Sequence, residues 1–269
     1  MRACLALASA LALLLPSLAQ AEEIRIGFAP PVDRDLAYHI EQQRPVAGQM
    51  ARFTADRTLR FAKDGQGEGG YTLNITLRAI DTDAAGDGGE PYRAAFSPLV
   101  GVGLHFRLDA MGRIIALDNM TDVWAKVEAR LRAMTASNAE GSARHRAATN
   151  VLTLFGAQSD EGRLALLAGE IQPLLLFASS ALNDQRPRTL RTTAGSPLGR
   201  PVPVEGTVAL VERKGAVLEL TEKLAGQGAL VEVHYRLSQS SGLVEEQHRT
   251  LVMGTRSLTE TRTVKGLND

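Results

Sequence analysis

Apolar residues in this chain recur at every second position, then at helical spacing, then at every second position again. That double change of period limits the fold more than any single motif. Leu36, Tyr38 and Ile40 alternate with Ala37, His39 and Glu41. In residues 52–61, Phe53, Ala55, Leu59 and Phe61 face one way, while Arg52, Thr54, Asp56, Thr58 and Arg60 face the other. Tyr71, Leu73, Ile75 and Leu77 oppose Thr72, Asn74, Thr76 and Arg78. This is the pattern of antiparallel strands with one wet face. The turn-rich DGQGEGG of residues 64–70 joins two of them as a hairpin. A loop over roughly 82–98 then leads to a strand at 104–108, a turn at Ala110-Met111-Gly112 and a strand at 113–117.

From Met120 the period becomes helical. Val123, Val127, Leu131 and Met134 form one stripe with Trp124 beside it, capped by Asn119 or Thr121. A second helix is expected from a Ser142 cap through Ala147, Val151, Leu152 and Phe155, ending at Gly156. A third starts at Ser159 or Asp160 and carries Leu164, Leu167 and Ile171. Pro173 lacks the amide an interior turn needs, so it kinks or restarts that helix, and residues 174–182 form the restarted piece. Period two returns near Arg188, with Val231, Val233, Tyr235 and Leu237 opposing Glu232, His234, Arg236 and Ser238. Residues 196–203 read as an extended connection. The last two strands, 243–253 and 256–264, are polar on both sides, which fits an edge or a hairpin reaching past the core.

The two β stretches echo each other. Residues 70–76 (GYTLNIT) match 215–221 (GAVLELT), and 104–114 (LHFRLDAMGRI) match 233–244 (VHYRLSQSSGLV). Either a duplicated meander or the chance likeness of amphipathic hairpins produces such a match. The expected fold is a single α+β domain over residues 22–269. It comprises a β meander at 22–118, a helical insertion at 119–182 and a β meander at 188–264. The strands form one large antiparallel sheet of about 10–12 strands, because sheets pack helices on their apolar face and open sheets of this size tend to curl. About three helices would lie on the concave face of the resulting half-barrel. With its alternating strands and the apolar run Leu174, Leu175, Leu176 and Phe177, the chain resembles the bacterial periplasmic lipoprotein carriers in its order of elements. It also resembles uncharacterised secreted bacterial β-rich proteins. The resemblance implies an unclosed barrel, roofed by helices, that shelters acyl chains. No signature residue of the carriers maps onto this sequence.

The N-terminus supplies an address. Met1-Arg2 gives a positive start, residues 3–19 an apolar core, and Ala19-Gln20-Ala21 the small-x-small pattern of a cleavage site. Cleavage after Ala21 is expected, giving a periplasmic protein that starts at Glu22. No later run approaches the roughly 18 apolar residues of a membrane span. Lys+Arg and Asp+Glu are equal at 30 each, and removal of Arg2 leaves a net charge of −1, which argues against a general nucleic-acid binder. Arginine outnumbers lysine 25 to 5, which reads as the codon usage of a GC-rich bacterium. The single cysteine, Cys4, leaves with the leader, so neither a disulfide nor a thiolate metal site is expected.

Motifs for chemistry are weak. His105 and His234 hold equivalent places in the echo and either pair across the sheet or simply occupy its polar face. In residues 81–90, Asp81, Asp83 and Gly86 fit a calcium-loop frame, but Ala85 and Tyr92 stand where carboxylates are required. GSPLG at 195–199 is not a nucleophile elbow, and GQGEGG lacks the G-K-[ST] ending of a phosphate loop. No catalytic residue, metal site or cofactor is expected. Leu174, Leu175, Leu176, Phe177 and Trp124 remain as candidates to line or gate an apolar pocket, although burial of core side chains alone also explains them. The expectation is a non-enzymatic periplasmic protein that binds an apolar or amphipathic ligand, such as a lipid or lipoprotein. The alternative is a cell-envelope interaction module whose long polar terminal strands add to a partner's sheet.

Overall fold

The computed structural model describes residues 22–65, 69–184, 186–196 and 199–267. The expected leader, with Ala19 and Ala21 at its cleavage site, lies outside the described residues. In chain order the elements are β1 (Glu23–Arg25), β2 (Asp35–Val46), β3 (Gln49–Lys63), β4 (Tyr71–Thr82), α1 (Glu90–Phe96), β5 (Gly103–Leu108) and β6 (Ile114–Leu117). Then come α2 (Met120–Ser137), α3 (Ala143–Gly156), α4 (Asp160–Ala168), β7 (Ala181–Asn183), β8 (Arg188–Ser196), β9 (Gly199–Lys214), β10 (Val217–Gly226), β11 (Ala229–Ser238), β12 (Val244–Met253) and β13 (Arg256–Gly266).

Eleven strands form one antiparallel sheet in the order β6-β5-β4-β3-β2-β13-β12-β11-β10-β9-β8. Both strand-rich stretches therefore share one surface, joined where β2 pairs with β13, with Tyr38 opposite Val264 and Ile40 opposite Arg262. Read from β8, the sheet is an uninterrupted up-and-down meander. The chain ends meet in its middle, and the helical segment connects its two outermost strands. At 4.8 Å per strand spacing those edges lie roughly 48 Å apart, so the connection must cross the sheet. Helix α2, with 18 residues, supplies about 27 Å of that path. The sheet is neither closed nor strongly curled, so the expected half-barrel is corrected to an open antiparallel sheet with four α-helices from the middle of the chain.

Apolar burial divides the covered face in two. Leu59, Phe61, Leu73, Ile75 and Phe106 pack with Val123, Val127 and Leu131 of α2, Phe155 of α3 and Leu167 of α4. The second core joins Leu218, Leu220, Val231, Val233 and Leu237 to Ile24 and Leu182 of the small β1–β7 ribbon. Tight turns set the strand registers. Ala47-Gly48 and Gln227-Gly228 take positive φ at both positions, the geometry that matches the twist of a two-residue hairpin.

Several expectations need correction. Residues 82–98 are not a plain loop but contain α1, whose Tyr92 hydroxyl donates to the Thr54 carbonyl at 2.6 Å and holds the helix on β3. Asn119 precedes α2 without capping it. Its side chain instead accepts from the His105 amide and donates to the Gly103 carbonyl, tying α2 to β5. Pro173 does not restart a helix: residues Gln172–Leu175 form one 3-10 turn, and the chain then enters β7. Ser142 and Ser159 do cap α3 and α4, accepting from the His145 and Gly162 amides. Gly199 to Pro203 belong to β9 rather than to an extended connection. Strands β12 and β13 are interior, not edges, because β12 pairs with both β11 and β13, and β13 pairs with both β12 and β2.

The echoed segments do occupy equivalent settings, since β4 pairs with β5 and β10 with β11. Leu73 lies opposite Phe106, whereas its counterpart Leu218 lies opposite Leu237, two residues from the equivalent Tyr235. A shift of two keeps each side chain on its own face, so the pattern survives while the register differs.

Gly242 and Gly254 both take positive φ, but only Gly242 is crowded, where an added Cβ would stand 2.2 Å from the Gly27 carbonyl oxygen. Gly254→Ala is expected to cost about 1–2 kcal/mol for the left-handed backbone alone. Gly242→Ala is expected to cost more in urea denaturation, because it also pushes the β11–β12 turn off Gly27.

Candidate functional site

The largely apolar cleft between sheet and helices is bounded by Ile75 and Leu77 of β4, Leu104 of β5, Phe96 of α1, Phe155 of α3 and Leu167 of α4. It encloses about 750 Å³ including its mouth, of which about 160 Å³ admits the centre of a water molecule. Its position follows from local sequence. Alternation on β4 and β5 turns aliphatic side chains toward the helices, while α1 is fixed over β3 by Tyr92 and beside α3 by Glu90. The buried Glu90 carboxylate takes Arg93 at 3.0 Å and Arg144 of α3 at 3.2 Å.

One end of the cleft is charged. Arg57 and Glu170 line it, and Arg57 Nη2 donates to Glu170 Oε2 at 3.1 Å. Arg57 belongs to the apolar face of β3, between Ala55 and Leu59, and its side chain is only 6% exposed. Beyond it, Arg262 donates to Glu260 at 2.9 Å, to the Tyr38 hydroxyl at 3.0 Å and to the Glu170 carbonyl at 2.8 Å. The Tyr38 hydroxyl also donates to that carbonyl at 3.1 Å, and Gln42 donates to Glu260 at 3.2 Å. The turn after α4 is thus fastened to the line where β2 meets β13.

Burial raises the Tyr38 hydroxyl, against the pull of Arg262. Burial also works to raise Glu260, but Arg262, Arg249 and Gln42 outweigh it and hold the carboxyl below its ordinary range. Desolvation works to lower Arg262, and the surrounding acidic groups reverse it, so the guanidinium is held more firmly charged than usual.

A second recess of mixed lining, about 1050 Å³ including its open mouth, adjoins the cleft and shares Ala95, Phe96 and Glu170 with it. Arg44, Arg249, Gln42 and Glu260 line this recess. Among the arginines that line these two spaces, Arg57 Nη1 and Arg44 Nε are buried with no hydrogen-bonding partner among the described residues; away from them Arg163 Nε is the same.

The five residues singled out by sequence do not line the cleft. Leu174 and Leu175 are buried in the core shared with the helices, Phe177 is buried in the other core, and Leu176 points outward at 48% exposure. The LLLF run therefore bridges the two cores, with Phe177 edge-on to Tyr235 at 5.1 Å. Trp124 stacks on Phe155 at 4.5 Å and lies under the Arg163 guanidinium, so it backs a cleft-lining ring. His105 and His234 do not meet. His105 lies opposite Asn74, and His234 lies opposite His248, all on the exposed face. Asp81 and Asp83 are turned to Arg52, which bonds both, rather than toward a shared cation position. Among the described residues, no group of three or more His, Cys, Asp or Glu is placed to hold a metal ion, and no helix is long and apolar enough to cross a membrane.

Sequence reading passed over Arg57, Tyr38, Arg262 and Glu170. The available signal was a charge in phase with an apolar face: Arg57 falls on the Phe53–Ala55–Leu59–Phe61 face, and Glu260 and Arg262 share one face of β13.

Removing Arg262 leaves Glu260 buried without its cation, so Arg262→Leu is expected to lose about 3–5 kcal/mol in urea denaturation at pH 7. Glu260 titrates lower in the folded chain than its ordinary 4.5. Its contribution is therefore present above pH 4.5 and lost as pH falls through the lowered folded value. Glu260→Gln should be less stable than the parent at pH 7 and lose less stability on acidification below 4.5, measured by denaturation at stepped pH.

Comparison of the chain with family models, with curated proteins and with solved structures found no match.

Proposed function

We propose that this protein is an exported, periplasmic binder of an apolar or amphipathic ligand, and that it works without catalysis. The observation that carries this reading is the apolar cleft held open between β4, β5 and the helices, with a charged cluster at one end. Small-molecule sites have this composition, mostly apolar walls with a few polar groups that fix orientation. A sheet wall with a helical cover keeps the sheltering principle of the lipoprotein carriers without a barrel's curvature. The leader ending at Ala21 supports delivery to the periplasm in this reading. The alternative, an envelope module that adds a strand to a partner, has less support. Both polar terminal strands are interior, and the sheet's edges are the short β6 and the arginine-bearing β8.

The test is titration with N-phenyl-1-naphthylamine, a neutral apolar fluorophore. The parent protein is expected to give saturable enhancement. Leu104→Trp, which fills the cleft, should weaken it at least tenfold with unchanged far-ultraviolet circular dichroism, while Leu176→Ala should leave it unchanged. A parent that does not bind the fluorophore, or a Leu104→Trp variant that binds it as well, overturns the reading.

A further inference from the structure

The charged end of the cleft carries a more specific statement, which rests on the binding reading above. We propose that the ligand is a single-chain amphiphile with an anionic headgroup, its chain in the apolar cleft and its acidic oxygens on Arg57, with Arg44 beside them.

Three observations converge on this. The first is charge. Three arginines, Arg57 on the cleft and Arg44 and Arg249 on its recess, face two carboxylates, Glu170 and Glu260, and Glu260 is already bonded by Arg262. Glu222 stands further along the same face, near Arg249 and Arg188. Arg262 is committed to Glu260, Tyr38 and the Glu170 carbonyl. Arg57 gives only one nitrogen to Glu170, and Arg44 lies over the Phe53 ring at 4.1 Å with no carboxylate partner among the described residues. The site is therefore short of negative charge.

The second is unmet hydrogen bonding. A buried donor without a partner costs more than a made bond returns, so Arg57 Nη1 and Arg44 Nε are open demands for an acceptor. Hydrogen bonds from a guanidinium to a carboxylate or phosphate are charge-assisted, and Arg57 keeps Nη1 for one acceptor oxygen beside the Glu170 bond. The third is size. An engineered cavity of about 150 Å³ in another protein takes one benzene. The 160 Å³ here suits a segment of one acyl chain rather than two chains side by side. Phe96, Ala95 and Glu170 line both spaces, so a chain in the cleft ends beside the arginines.

Calorimetric titration of the mature protein with octanoate, octyl phosphate, octanol and octyltrimethylammonium separates the possibilities. At least a tenfold preference for octanoate or octyl phosphate over octanol is expected, with the cation weakest; whichever anion binds tighter identifies the headgroup as carboxylate or phosphate. Arg57→Met should reduce that preference below threefold while octanol binds within threefold of the parent, and Arg57→Lys should restore part of it. If octanol binds as well as both anions, the headgroup assignment is overturned and the apolar cleft stands. If none of the four binds, the cleft reading falls with it. Should Arg57→Met fail to fold, the parent's anion-to-octanol ratio decides the question alone.

Discussion

The pairing of the first long strand with the last is the constraint on which everything else in this structure depends. Each of the two meanders alone is a half-sheet with an unpaired border strand. When β2 pairs with β13, the two borders satisfy each other, and the remaining edges move to the far sides of the molecule. The helical segment must then connect those far edges, and the only route that buries its apolar stripe runs over the sheet. A cleft between helices and sheet follows from that crossing. Its charged end follows from the border itself, where two polar strands have been brought inside.

That border is an unusual place to put charge. Desolvating a guanidinium and a carboxylate costs several kcal/mol per ion, and attraction between them repays it only when their remaining hydrogen bonds are met. Around Arg262 they are met, by Glu260, by the Tyr38 hydroxyl and by the Glu170 carbonyl. The cluster thus pins three separate pieces, β2, β13 and the turn after α4, to one another. Around Arg57 and Arg44 they are not all met. No buried nitrogen of Arg262 lacks a partner among the described residues, whereas Arg57 and Arg44 each keep one that does.

Much of the architecture was legible in the residues. Period two on β2 to β4 and on β11 matches the observed strand faces, because a face that packs against a core tolerates few exceptions. The serine caps of α3 and α4 were legible because a cap is a local bond between residues three apart. Helix α1 was missed because a seven-residue helix offers too few turns for a stripe. The cleft is lined by none of the LLLF residues for a different reason. Leu174, Leu175 and Phe177 are strongly apolar, and such residues fill a core rather than line an opening. A residue such as Arg57, charged yet in phase with an apolar face, was the better pointer.

The sequence by itself determined the strand–helix–strand order of its long segments, the faces of the strands that alternate and the serine caps of α3 and α4, since each depends on neighbours within a few positions. Tertiary structure alone decided that polar strands would lie at the centre, that the sheet would stay open, and that Arg57 and Arg262 would be buried within reach of Glu170. Those outcomes come from pairings between residues more than ninety positions apart. Their energies depend on which groups water can still reach after the helical segment has crossed the sheet, and no local pattern in the chain carries that information.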